Sequence, residues 1–416
     1  MKRSVDPDDV VTVLEQRLAR YPAERYPVQH ATAQFHLGVA LTEAGKLAEA
    51  EEALATAARL FEPNLPVDHA KATNALGAVS RAAGRVEEAT ERFRLAAEDF
   101  ARADLPLEEG IATHNLGLAC KDAGDGEAAL TALEKARRLF EKARSPEHAA
   151  AAAREQGTLL LELGRAEEAV DVLKPAVSLS ERTHNRVALA TTANALGLAL
   201  LALNRPQEAL AAFRGALGAT PATVRPELFA MVKANLAVAY EAAGDRPRAR
   251  TSARQAIAVS EAPAPVLRQS REVIRRLGNP AGDLWLVLKS EAQDLWPGIV
   301  RDELTRWARE PPETRKAEAA AWIELYSAGS NVAGSQEREA MTEALLAGLL
   351  EITPREMDAV IRSAVEAARD CRGDLTAPWQ SGVERAFVRF PIPQWERLRA
   401  AFNRAAAVLR RGQTWG

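Results

Sequence analysis

Apolar and small residues recur along the first two thirds of the chain at the three- and four-residue spacings of amphipathic helices. The stretch from Ala31 to Phe61 is the first to show this clearly, as two apolar helical stripes separated at Gly45. Glycine favours the left-handed backbone that ends many helices, so Gly45 predicts a tight turn. The stretch is therefore predicted to form a helical hairpin.

The same hairpin pattern returns five more times, about every 40 residues. A residue pair, usually Leu-Gly, marks the first helix of each copy: Leu37-Gly38, Leu76-Gly77, Leu116-Gly117, Gln156-Gly157, Leu196-Gly197 and Leu236-Ala237. A turn residue follows each pair at a constant distance: Gly45, Gly84, Gly124, Gly164, Asn204 and Gly244. Asn204 fits this role because asparagine tolerates the left-handed conformation better than most residues do. A unit repeated at one period predicts a helical solenoid.

These repeats resemble the tetratricopeptide repeat over residues 28–262, in the Leu-Gly pair, the turn glycine and the alanines of the second helix. Their period exceeds the usual 34 residues of that family, and it is similar to the extended repeats of kinesin light chains and bacterial peptide-sensing regulators. The resemblance implies a right-handed α-solenoid of six helical hairpins. With the smaller C-terminal helical domain that the sequence predicts after it, the expected fold class is all-α. The resemblance also implies that the concave face binds extended peptides or partner proteins.

Three regions are predicted along the chain. Residues 1–27 form a capping helix, residues 28–278 form the six repeats and a closing helix, and residues 279–416 form a separate helical domain. The capping helix has an apolar stripe at Val10, Leu14 and Leu18. All seven tryptophans follow residue 280, whereas all six histidines precede it, and this change in composition marks the last boundary.

No family resemblance is assigned to the tryptophan-rich region. A helical stripe through Trp285 and Trp296 is predicted to break at Pro297, because proline disrupts a helix interior. Thr353 to Glu356 read Thr-Pro-Arg-Glu, which predicts a capping box at the start of a helix. The aromatic residues are expected to fill the core of a helical bundle, with an aromatic ligand pocket as the alternative.

Composition argues against several classes of protein. The formal net charge of −3 does not favour non-specific nucleic-acid binding. The sequence has no apolar segment typical of a signal peptide or a membrane span, and its two cysteines provide no disulfide framework. These features indicate a cytoplasmic protein, and the abundance of alanine and arginine is typical of a GC-rich bacterial genome.

Motifs for catalysis are absent from the sequence, which has no Walker loop, GxGxxG, HExxH, CxxC or GxSxG. The histidines lack the spacing of metal ligands, so neither a metal nor a cofactor is predicted. The small polar loop from Gly329 to Ser335 is a candidate phosphate cradle, with a plain flexible loop as the alternative. The sequence thus favours a protein that is not an enzyme.

Polar residues at repeat spacing are the better candidates for a functional site. The position two residues before each Leu-Gly pair is expected to face the groove, and it is polar in the four middle copies: Asn74, His114, Arg154 and Asn194. Three cations are expected on the same surface: Lys71, Arg81 and Lys121. This set can donate hydrogen bonds to an extended peptide and pair with its carboxylates. A polar, solvated inner wall without a ligand is the alternative.

Three functional hypotheses follow. The first is a non-catalytic adaptor or assembly factor that holds a peptide or partner protein in the groove, with a possible second partner on the C-terminal domain. The last helix is rich in arginine and is the candidate surface for that second partner, although a solvated helix face is the alternative. The second hypothesis is a peptide-sensing regulator without its own DNA-binding domain. The third is an enzyme or small-ligand binder whose site lies in the tryptophan-rich domain.

Overall fold

The computed structural model describes residues 7–62, 64–220, 225–328 and 335–409. Regular structure in these residues is helical throughout. The α-helices are α1 Pro7–Arg20, α2 Pro27–Glu43, α3 Leu47–Phe61, α4 Pro66–Ala82, α5 Val86–Arg102, α6 Pro106–Asp122, α7 Gly126–Lys142, α8 Pro146–Glu162, α9 Ala166–Arg182, α10 Arg186–Ala202, α11 Pro206–Ala219, α12 Pro226–Ala242, α13 Arg246–Ile257, α14 Ala264–Leu277, α15 Asp283–Ser290, α16 Trp296–Arg309, α17 Pro312–Ala328, α18 Ser335–Glu351, α19 Pro354–Asp370, α20 Gly373–Phe387 and α21 Ile392–Val408.

Helices α2 to α13 follow one another as the six predicted hairpins, and the all-α solenoid with a C-terminal helical region is confirmed. By its internal contacts the chain divides into two compact units, Met1–Arg205 and Pro206–Gly416. The hairpin α12–α13 and the closing helix α14 thus belong to the same unit as the tryptophan-rich helices. The predicted regions 1–27, 28–278 and 279–416 remain predictions.

In the first unit, glycines allow the two helices of a hairpin to lie close together. A Cβ added at Gly77 on α4 would come within 2.7 Å of the ring of Phe93 on α5. The same approach recurs between Gly157 on α8 and Leu173 on α9, at 2.4 Å. The turn residue of the fifth copy, Asn204, has a φ of 54°, as its replacement of glycine predicts.

Helix α1 packs against α2, as expected of a capping helix, but with a different face from the predicted one. Val11 is buried against the first hairpin, with Leu14 and Leu18 packed beside it, whereas Val10 is exposed. Positions 11, 14 and 18 follow the i, i+3, i+7 pattern of a helix face. The prediction that Val10 belongs to the packed face was wrong. An α-helix has about 3.6 residues per turn, so residues spaced only by four move gradually around the helix and leave one face.

In the second unit, the tryptophans fill a helical core, as predicted. Trp285, Trp296, Trp307, Trp322 and Trp379 are buried, and Trp395 packs against the same core. The predicted break at Pro297 was wrong, because α15 ends at Ser290 and Pro297 lies in the first turn of α16, where proline is favoured. The predicted capping box is present, with Thr353 N donating to Glu356 Oε2 at 2.9 Å.

A buried network of charges connects the last hairpin to the tryptophan-rich helices of this unit. Asp283, at the start of α15, is 1% exposed and accepts from Arg250 Nη2 at 2.7 Å and from Arg254 Nη2 at 2.9 Å. Both arginines lie on α13. Buried charges are costly unless they are paired, so these contacts require α13 and α15 to stay together.

The network continues into α16 and α17. Glu318 on α17 accepts from Arg306 Nη2 at 2.9 Å and from the backbone nitrogen of Gly282 at 2.8 Å. Arg306 also pairs with Glu303, which is 1% exposed. Burial opposes the charge of Arg306, but the carboxylates of Glu303 and Glu318 outweigh it and raise the pKa of Arg306 above its usual value.

Candidate functional site

The predicted groove residues all lie on the first helices of consecutive hairpins in the first unit. Asn74 is on α4, His114 on α6, Arg154 on α8 and Asn194 on α10. The first three are partly exposed, whereas Asn194 is buried, with 5% of its surface exposed. Asn194 therefore offers less surface to a ligand than the other three do.

Side chains one repeat apart meet between neighbouring first helices. Asn115 Nδ2 donates to Asn74 Oδ1 at 3.2 Å and joins α6 to α4. Arg81 Nε donates to Asp122 Oδ2 at 2.6 Å between the same two helices. These contacts place Asn74 and Arg81 on one polar surface that runs along the repeats.

The next pair of first helices is joined in the same way. Lys121 Nζ on α6 donates to Glu162 Oε1 on α8 at 2.7 Å. Two other predicted cations are held within their own helices, since Lys71 pairs with Asp68 at 3.0 Å and Arg154 pairs with Glu155 at 2.7 Å. Each cation of the predicted set thus has an acidic partner, and the surface is close to neutral.

His114 lies near the middle of this surface. Its Nε2 atom is buried and has no hydrogen-bond partner among the described residues, and its ring lies 6.5 Å from that of Phe140. Burial lowers the pKa of His114; the charge of Glu155 opposes this shift and that of Arg154 reinforces it. His114 is therefore a neutral imidazole near pH 7, with an unused hydrogen-bonding nitrogen.

These residues together form a charge-balanced polar strip with amide, imidazole and ion-pair groups at repeat spacing. Such groups can exchange partners with the backbone or charged side chains of an extended peptide.

The acidic and amide partners in this strip were missed by the sequence analysis. Asn115, Asp122 and Glu162 each lie 41 residues after the residue that they contact. The signal was available, because a period of about 40 residues places position i beside position i+41 on the next first helix. A search for complementary pairs at that separation would have found them.

The other candidate sites stand as follows. In the described part of the chain, no three His, Cys, Asp or Glu side chains cluster as metal ligands do. Within the same residues, none of the helices has the length and apolar character to cross a bilayer. The candidate phosphate loop, Gly329 to Ser335, lies outside the described residues except for Ser335, where α18 begins.

The arginine-rich last helix is partly engaged within its own unit. Arg404 pairs with Asp358 at 2.7 Å, and the guanidinium of Arg399 lies 4.5 Å from the centre of the Trp395 ring. Arg410 and Arg411 lie outside the described residues. A second partner on this helix remains a prediction.

Comparison with known families agrees with the hairpin geometry. Three family profiles described as tetratricopeptide repeat match residues 11–65, residues 108–174 and 149–221, and residues 229–262. The hairpins within these matched residues are tetratricopeptide repeats. No curated protein matches the chain in sequence.

Several solved structures resemble this chain in fold. The apo form of the quorum sensor NprR from B. thuringiensis is 12% identical, with a TM-score of 0.50, over 82% of this chain and 92% of that one. BtubC from P. vanneervenii is 18% identical, with a TM-score of 0.47, over 52% and 91% of the two chains. A putative kinesin light chain from Podosopora anserina is 21% identical, with a TM-score of 0.39, over 51% and 98%.

Proposed function

We propose that this tetratricopeptide-repeat protein is a non-catalytic adaptor or assembly factor that binds an extended peptide, or an extended segment of a partner protein, along its first helices. The observation that carries the proposal is the polar strip that contains Asn74, His114 and Arg154. These residues recur at repeat spacing, and the pairs Asn74–Asn115, Arg81–Asp122 and Lys121–Glu162 connect neighbouring hairpins beside them. An extended peptide also has a regular repeat of donors and acceptors, which such a strip can match.

The character of the strip limits the ligand. Because the cations already have acidic partners, a highly charged ligand gains little net attraction. We expect a peptide of mixed charge that bonds through its backbone to the exposed polar atoms of the strip. We also expect the protein to act in the cytoplasm of a bacterium.

The test is a selection of peptides from a random display library on the immobilised full-length chain. Selected peptides are then synthesised, and their affinity is measured by fluorescence anisotropy for the wild type and for a variant with Asn74, His114 and Arg154 changed to Ala. Loss of about two hydrogen bonds predicts an affinity at least roughly tenfold lower. Asn194 is left unchanged because it is buried.

The matched control is a variant with three exposed residues of second helices changed to Ala: Thr131, Arg138 and Ser178. This control variant also loses one positive charge, but from the second helices of the hairpins, and it should retain wild-type affinity. Equal affinity for both triple variants would show that the strip is only a solvated wall. A selected peptide that changes the overall shape in small-angle scattering would favour the peptide-sensing regulator over the adaptor.

A further inference from the structure

The second unit contains an open cavity of about 600 Å³ that the peptide strip does not use. Its wall is made by residues of α11, α12 and α13 on one side and of α15 and α16 on the other. Small-molecule sites have volumes of roughly 300–1,000 Å³, so this cavity is of suitable size. By contrast, the cavity among the tryptophans has a volume of about 30 Å³ and holds nothing larger than a water molecule.

Apolar side chains form much of the cavity wall: Leu217, Phe229, Leu236, Val287, Leu295 and Ile299. Phe229, Leu236 and Val287 are each more than nine-tenths buried, so this part of the wall is fixed by the core. An apolar group of a ligand that covered it would leave water and gain hydrophobic stabilisation.

Charged side chains around the cavity are predominantly basic. The lining includes four cations and two carboxylates, an excess of two positive charges: Arg214, Lys233, Arg248 and Arg301 against Glu291 and Asp302. Lys233 is 7% exposed, and its Nζ donates to Gln255 Oε1 at 2.6 Å and to Asp302 Oδ2 at 3.1 Å. Lys233 and Asp302 therefore already pair with each other within the protein and are not the groups that we expect to bind a ligand.

Two of the cations have capacity left for a ligand. The side chain of Arg301 is 55% exposed, and its carboxylate neighbours Asp302 and Glu351 are no closer than 3.8 Å and 4.0 Å. The side chain of Arg214 is 48% exposed; its Nη2 lies 3.1 Å from the hydroxyl of Tyr240 and 3.4 Å from Glu291 Oε1. Arg214 and Arg301 can both turn toward an anion without leaving a carboxylate buried and unpaired.

Tyr240 holds Arg214 at the cavity. The guanidinium carbons of Arg214 and Arg248 lie 5.7 Å and 5.8 Å from the centre of the Tyr240 ring. Burial raises the pKa of Tyr240, so its hydroxyl stays protonated and neutral near pH 7. The tyrosine thus orients a cation without neutralising it.

We propose that this cavity binds a small organic anion that has an apolar body and one acidic group. The apolar body lies against Phe229, Leu236 and Val287, and the acidic group pairs with Arg214 and Arg301. Mostly apolar walls with a few convergent polar groups are typical of small-molecule sites, and arginine is well suited to carboxylate, sulfonate or phosphate groups. This site is independent of the peptide strip, whose residues lie in the first unit.

The test uses two fluorescent probes that differ only in charge. 1-Anilinonaphthalene-8-sulfonate has an apolar body and one sulfonate, and N-phenyl-1-naphthylamine is the same body without the sulfonate. We expect the full-length chain to bind the sulfonate at one site, with an affinity about tenfold higher than for the neutral probe, because one charge-assisted pair is worth about a factor of ten. Equal affinities for the two probes would overturn the proposal.

Charge variants identify the cations involved. Changing Arg214 and Arg301 together to Gln should lower the affinity for the sulfonate by about tenfold or more and leave that for the neutral probe within about twofold. Arg138→Gln, which removes an exposed cation from α7 in the first unit, is the control and should change neither. A sulfonate affinity that is the same in the double variant and the wild type would contradict the proposal.

A filling variant locates the apolar part of the site. Gly298 lines the cavity, and a Cβ added there meets no atom within 4 Å, so a side chain can start at this position without strain. We expect the leucine of Gly298→Leu to take up cavity space. Gly298→Leu should lower the affinity for both probes. A Cβ added at Gly215 on α11 also meets no atom within 4 Å, but Gly215 lies outside the lining, so Gly215→Leu should leave the affinity for both probes unchanged. If both glycine variants keep full binding while circular dichroism shows an intact fold, the probes bind elsewhere and the proposal fails.

Discussion

At the scale of single residues, the spacing between the two helices of a hairpin depends on the absence of a side chain at Gly38, Gly77, Gly117 and Gly157. The ring of Phe93 is 1% exposed and lies against Gly77, where a Cβ would come within 2.7 Å of it. A buried ring enclosed on all sides cannot move without displacing its neighbours. Overpacking of this kind costs about 1–3 kcal/mol.

We therefore expect Gly77→Ala to lower the free energy of unfolding by up to about 2 kcal/mol, because the better helix propensity of alanine offsets about 1 kcal/mol of the overpacking cost. Gly215→Ala is the control, because nothing lies within 4 Å of its added Cβ, and it should be neutral or stabilising by up to about 1 kcal/mol. Thermal denaturation of the two variants beside the wild type measures the difference. Equal melting temperatures for the two variants would mean that α4 and α5 can separate at little cost.

A second residue-scale prediction concerns pH. The pKa of His114 is lowered, mainly by burial, so the unfolded chain binds a proton at this residue more readily than the folded chain does. Above the ordinary histidine pKa of about 6.5, His114 is neutral in both the folded and the unfolded chain, so the folded protein has its full stability. As the pH falls below about 6.5 the unfolded chain takes up the proton first, and the free energy of unfolding decreases until the pH reaches the lowered pKa of the folded state. The loss is at most about 1.4 kcal/mol per pH unit.

His114→Gln should remove this pH dependence while it keeps a polar side chain at the position. The measurement is urea denaturation of wild type and variant at pH 7.5 and pH 5.5, with far-ultraviolet circular dichroism as the readout. The wild type should lose more stability than the variant over this interval. His184→Gln, on a turn with an exposed side chain, is a control that should behave as the wild type does.

At the scale of elements, the buried charges of the second unit join α13 to α15. Asp283 is 1% exposed and has two arginine partners from one helix, Arg250 and Arg254. Removal of one partner from a buried ion pair typically costs about 3–5 kcal/mol, because the remaining charge is poorly compensated. Here Arg254 still faces Asp283, so the lower end of that range applies.

Arg250→Met should accordingly lower the stability of the second unit by about 3 kcal/mol, and Arg404→Met, which breaks an exposed pair with Asp358, should change it by less than about 1 kcal/mol. Tryptophan emission during urea denaturation reports on this unit alone, since every tryptophan lies in it. Equal effects of the two substitutions would indicate that water reaches Asp283 in solution.

Some elements of the fold were predictable from the sequence and others were not, depending on whether the sequence carries a repeated signal for them. The hairpins were predictable because six copies repeat the same glycine, alanine and leucine positions, and a repeated pattern averages out local ambiguity. Helix α20 was not predicted, since Pro378 inside it breaks the usual rule for helix interiors. The network around Asp283 was not predicted either, because its partners come from four helices without a common spacing.

The candidate strip was partly predictable for a related reason. The positions of Asn74, His114 and Arg154 follow from the repeat period, so the sequence alone places them on first helices. Their pairing partners depend on the offset between neighbouring helices, which the period does not contain. The cavity lined by Arg214 and Tyr240 depends on how α15 and α16 pack in the second unit, and no motif in those helices indicates it.

At the scale of the whole molecule, the division of the chain has a testable consequence. The second compact unit begins at Pro206, and it includes the last hairpin with Lys233, Arg250 and Arg254. The predicted boundary after residue 278 would separate these cations from Asp283, Glu303 and Glu318, which are all less than 5% exposed. A fragment that begins at residue 279 would have to bury those carboxylates with only Arg306 to compensate them.

We expect a fragment of residues 206–416 to fold by itself, with tryptophan emission at short wavelength and cooperative unfolding in urea. A fragment of residues 279–416 should show the long-wavelength emission of solvated tryptophan and no cooperative transition at pH 7. Cooperative folding of residues 279–416 at neutral pH would show instead that the tryptophan core outweighs the buried charges and that the boundary lies after residue 278.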